Sequence, residues 1–209
     1  SSQHRIAGHR LPEDRPPVAV NVGLTAEGLR AIGLPPEVVR TFPVEFQDGI
    51  ASEERSRILG DTDTSAPQKW EIGGPLTDPV HAMLMLFAAN ESTLDELCRV
   101  QRSLLERSGG AVELPDSVQR GYRPDTLTEP FGFHDGIAQP SIAGLEGHGV
   151  PTGEFILGSE NHYGLIPPTP VVPAAMNPAH TLPQLDSPYH AGAHLGDLGR
   201  NGSYLVYRK

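Results

Sequence analysis

Residues Val80–Gly110, VHAMLMLFAANESTLDELCRVQRSLLERSGG, decide how this chain is read. Val80 to Ala89 is a continuous apolar run bounded by Pro79 and Asn90, and so short a run between turn formers predicts a buried strand. The clearest helix of the chain opens at Ser92, which with Asp95 approximates a capping box. Leu94, Leu97, Cys98, Gln101, Leu104 and Leu105 recur at helical spacing, with Gln101 the polar break in the stripe. Gly109-Gly110 closes the helix. Upstream, VAVNVGL (Val18 to Leu24) is a β-branched run suited to a central strand. Thr25 caps a short helix that ends at Gly33-Leu34-Pro35. Pro36 to Phe42 suits a further helical turn, and Phe46 to Leu59 reads as another helix whose charges from Glu53 to Arg57 form a solvated face. Downstream, Ala111 to Leu114 suits a strand. Strand, helix, helical insertion, strand, helix, strand predicts an α+β fold, helices packed on one face of a sheet. A ferredoxin-like layout needs one more strand and one more helix than this.

At 209 residues the chain holds one comfortable domain, or one domain and part of another. A hydrophobic content of 37% supports a core, while 21 prolines and 23 glycines imply much loop-borne structure. With 16 Lys and Arg against 26 Asp and Glu, the formal charge is −10 and no basic stripe exists, which argues against a nucleic-acid partner. Cys98 is the single cysteine, so no intramolecular disulfide forms, and its helical position makes it a core filler. No apolar run reaches the roughly 18 residues of a membrane span. The N-terminal SSQHRIAGHR lacks a signal-peptide core, which favours a cytoplasmic location.

FGFHDGIAQPSIAG, from Phe131, carries the candidate chemistry. Phe131 and Phe133 sit at alternate positions and are expected to bury one face of a short extended segment. Gly132 and Gly136 permit close backbone approach, and Gln139-Pro140 ends regular structure. Asp135, set between glycines and aromatics, can be desolvated and serve as an acid or base. The plainer reading is an Asx-type turn whose carboxylate caps nearby amides.

FGFHDGIAQP, GEFILG and GRNGSYLVYRK follow one another in this order, and together they resemble the dye-decolorizing (DyP-type) haem peroxidases. PPVAVNVGLTAEGLRAIGLP is similar to the N-terminal half of that family, so the resemblance runs along nearly the whole chain. It implies two ferredoxin-like domains of the dimeric α+β barrel type, incomplete here. Residues 1–163 would be a partial first domain that carries the GxxDG segment. Residues 164–198, rich in Pro, Ala and His, would be a linker or loop, and 199–209 the first strand of the C-terminal haem-binding domain. The resemblance makes Asp135 the distal acid–base residue, with the backbone of Gly136, Ile137 and Ala138 against haem b. It sets the axial histidine and the distal arginine beyond Lys209, so no residue here is assigned as a metal ligand and the chain alone is expected to be inactive. Hydrogen peroxide and an aromatic or dye reductant are the implied partners, and a homo-oligomer is compatible with the family.

A peroxidase acid–base group takes a proton from one peroxide oxygen and returns it to the other. A carboxylate of ordinary pKa about 3.9 stays usable in acid, where a histidine of about 6.5 is protonated. His134 is the tempting iron ligand, but neighbours on an extended segment point to opposite faces. Three other groupings carry less. Asp61 and Asp63 lack calcium-loop spacing. His190 and His194 lie four apart among glycines that oppose a helix. Gly153-Glu154-Phe155 opens a short strand, EFILG, in which Glu154 suits an arginine partner, and Asp186 and Asp197 read as solvated loop residues. Trp70 reads as half-buried at the start of a strand. Arg200-Asn201-Gly202 reads as a tight turn leading into a strand through Tyr204 and Val206, and Tyr163, Tyr204 and Tyr207 as packing residues or radical relays. The competing function is a non-catalytic α+β module without haem. A hydrolase using Asp135 and His134 ranks last, because no GxSxG nucleophile context is present.

Overall fold

A computed structural model describes residues 16–121, 128–129, 131–134, 140–144, 149–185 and 194–207. Its first sheet pairs β1 (Val18–Leu24) with β2 (Ala82–Ala88) in antiparallel register, Val18 facing Ala88 and Leu24 facing Ala82. Both strands were legible as apolar runs, but neither is a buried central strand. Among the described residues each has one neighbour, and Val22 and Phe87 remain 61% and 53% exposed.

Between the strands lie four short helices, α1 (Ala26–Ala31), α2 (Pro36–Val39), α3 (Val44–Asp48) and α4 (Glu53–Leu59). Thr25 caps α1 as expected, its hydroxyl accepting the Gly28 N–H at 2.9 Å and donating to the Val80 carbonyl at 2.7 Å. That second bond anchors the cap to the chain two residues before β2. The single helix expected over 46–59 is instead two, because Gly49 takes φ +73° and ends α3, and Ser52 is extended before α4. Trp70 is half-buried, but it closes a 3-10 turn and donates its Nε1–H to the Ser65 carbonyl rather than starting a strand.

The long helix α5 (Glu91–Ser108) lies against the sheet, on β2 more than on β1. Its cap is Asn90, whose Oδ1 accepts the Thr93 N–H at 2.9 Å, and Ser92 merely donates to that same oxygen. Gly109 ends it in the left-handed conformation, φ +67°. Leu94, Leu97, Cys98, Gln101 and Leu105 are half-buried along one face, whereas Leu104 is exposed. No strand forms over 111–114.

The stretch 164–198 is not structureless. It holds β3 (Val171–Pro173) paired antiparallel with β4 (Leu195–Asp197), and much of the buried core. Val38 and Val39 on α2, at 1% and 2% exposure, share that core with Val171 and Val172. Thr41 stitches the two parts, donating to the Val38 carbonyl at 2.7 Å and accepting the Val171 N–H at 3.0 Å. Among the described residues no helix is long and apolar enough to cross a membrane.

Candidate functional site

The approach to the GxxDG segment is a tight hairpin. Thr128 and His134 form an antiparallel bridge, the Glu129 N–H donates to the Phe133 carbonyl at 2.7 Å, and the Gly132 N–H donates to the Glu129 carbonyl at 2.8 Å. Gly132 has φ +86°, a left-handed conformation that suits a turn and that a side chain disfavours. This geometry overturns the expected burial of the two phenylalanines. They sit on a turn rather than an extended strand, and Phe131 and Phe133 are 87% and 70% exposed. His134 is exposed at the hairpin's end. Asp135, Gly136, Ile137 and Ala138, the residues on which the chemical reading rests, lie outside the described residues.

Beyond the segment the chain folds back on itself. Ile142 and Val150 form a parallel bridge, with the Ala143 N–H donating to the Val150 carbonyl at 2.9 Å and the Val150 N–H to the Ser141 carbonyl at 2.8 Å. A Cβ on Gly149 would fall 2.2 Å from the Ser141 oxygen, so only glycine fits this close approach. Thr152 donates its hydroxyl to the Ala143 carbonyl at 2.6 Å and thereby leads directly into GEFILG.

GEFILG is a 3-10 turn over Thr152–Glu154 followed by further turns, not the strand its apolar run suggests. Its role in the structure is to receive the third motif. The Leu157 N–H donates to the Gly202 carbonyl at 2.9 Å, and the Asn201 N–H donates to the Leu157 carbonyl at 3.0 Å. The Arg200-Asn201-Gly202 turn forms as expected, with Asn201 at φ +64° and the Gly202 N–H on the Gly199 carbonyl at 2.8 Å. The strand expected after it is absent from residues 202–207. Two motifs separated by some forty residues are thus in direct contact.

Asp197 is a residue that sequence reasoning misplaced. Expected in solvent, it is 3% exposed and accepts the Thr169 hydroxyl at 2.7 Å, with Thr169 itself buried. Glu154 has a histidine partner where an arginine was expected. Its Oε1 accepts the His162 N–H at 2.9 Å and contacts the His162 Nδ1, and these bonds hold its carboxyl below the usual range. The ring of Tyr163 rests on His162 at 3.9 Å, tilted by 41°. Tyr204 packs on Phe46 at 5.5 Å, and Phe46 stacks on Phe42 at 4.8 Å. Burial pushes the Tyr204 phenol up to about 12.

The remaining groupings separate in space or in kind. Among the described residues no three His, Cys, Asp or Glu side chains gather as a metal site. His194 is exposed, while His190 and Asp186 lie outside the described residues. Cys98 is half-buried in an open groove of about 610 Å³ beside α5, where Arg102 and Arg120 are held by Glu113 and Asp95.

No family model matches the chain. Over 133 residues it is 30% identical to the dye-decolorizing peroxidase of Exidia glandulosa, covering 63% of this chain and 24% of that protein. Over 198 residues it is 27% identical to the dye-decolorizing peroxidase msp1 of Mycetinis scorodonius, covering 93% of this chain and 33% of that one. The chain therefore spans about a quarter to a third of the length of the curated relatives it matches. In fold it is similar to a dye-decolorizing peroxidase solved in complex with 2,6-dimethoxyphenol, at a TM-score of 0.53 and 23% identity over 76% of this chain and 35% of that one. Sequence and fold agree in one likeness: this α+β, ferredoxin-like chain is similar to a part of the dye-decolorizing peroxidases.

Proposed function

We propose that this chain is part of a haem-dependent peroxidase that reduces hydrogen peroxide and oxidises dyes or phenolic aromatics, with Asp135 as its distal acid–base residue. The observation that carries the reading is the likeness to two curated dye-decolorizing peroxidases, one of them matched along 93% of this chain. The hairpin leading to Asp135 supports it from a second side. It leaves two phenyl rings uncovered, at 87% and 70% exposure, beside the segment assigned to the haem. A flat apolar macrocycle is a chemically suitable cover for that surface.

When bound, haem supplies the iron at which peroxide is activated. Gly136, Ile137 and Ala138 would lie against its face through their backbone. Asp135 would accept the proton from one peroxide oxygen and deliver it to the other, so that water can leave. No residue of this chain is assigned as the axial ligand. Because a carboxylate remains ionised well below the pKa of a histidine, the activity is expected to be strongest in acid.

The test is Asp135→Asn in the protein that carries this chain, followed by haem titration and peroxide-dependent oxidation of a phenol. Haem affinity should hold while peroxide reduction falls by about 10²- to 10⁴-fold, the usual contribution of a positioned acid–base group. Unchanged peroxide reduction with an unchanged acid limb would overturn the assignment of Asp135. Failure of the unsubstituted protein to take up haem would instead favour the non-catalytic module.

A further inference from the structure

We draw no further inference here: the strongest candidate, the apolar face that Val20, Val22, Leu24 and Leu84 leave exposed on the β1–β2 sheet, carries nothing because the structure does not show what covers it.

Discussion

A glycine inside a helix ordinarily weakens it, so replacing it by alanine adds about 1 kcal/mol of helical stability. At Gly28 in α1 that sign should reverse. The residue is buried, and a Cβ there would lie 1.8 Å from the His81 carbonyl oxygen and 2.7 Å from its carbon. Both atoms are backbone, and the same carbonyl accepts the Thr25 N–H at 3.1 Å, so the contact cannot relax without disturbing the helix cap. Gly28→Ala is expected to destabilise the protein by about 1–3 kcal/mol, the range for overpacking. Gly110→Ala, with no atom within 4 Å of its added Cβ, should be nearly neutral in the same urea titration. Equal midpoints for the two variants would contradict the close approach of α1 to β2. A second residue-scale effect concerns acid. Glu154 is held below its ordinary value of 4.5 by the N–H and ring of His162, so in acid the folded state binds fewer protons than the unfolded state. Its contribution is complete above about pH 4.5 and is lost as pH falls through the lower folded value. The difference in urea midpoint between wild type and Glu154→Gln should therefore shrink below that pH. A difference constant from pH 3 to 6 would show that the titration of Glu154 is not coupled to folding.

Among the elements, α5 offers the cleanest separation of two capping residues. Asn90 accepts the Thr93 N–H, whereas Ser92 bonds only to the Asn90 side chain, so the energetic burden of the cap falls on Asn90. Asn90→Ala is expected to cost about 0.5–2 kcal/mol, and Ser92→Ala distinctly less. Comparable losses in thermal unfolding would return the cap to Ser92, where the spacing to Asp95 first suggested it. That near-miss shows what sequence can resolve here. The 3.6-residue stripe of α5 and the apolar runs of β1 and β2 are long enough to declare themselves, while a boundary between two cap formers is decided by geometry. The strands expected at 111–114 and in GEFILG failed for another reason, since an apolar run becomes a strand only where a partner edge lies beside it. β3 and β4 went unread because each is three residues long and β3 is framed by prolines, leaving too little alternation to detect. The phenylalanines at 131 and 133 kept period-2 spacing, yet Gly132 in the left-handed region turned that spacing into a loop tip. The role proposed for Asp135 rests on the order of three motifs, two of which the structure brings together at Leu157 and Gly202.

For the whole molecule, surface area is the quantity that decides behaviour in solution. Among the described residues the buried apolar side chains are small, none larger than Leu185, and several aromatic and aliphatic side chains stand in solvent, Phe131 and Tyr163 among them. Uncovered apolar surface binds hydrophobic dyes, so the isolated 209-residue chain is expected to enhance the fluorescence of anilinonaphthalene sulfonate. No enhancement would mean that the chain in solution closes over the apolar faces left open here, the β1–β2 sheet first among them.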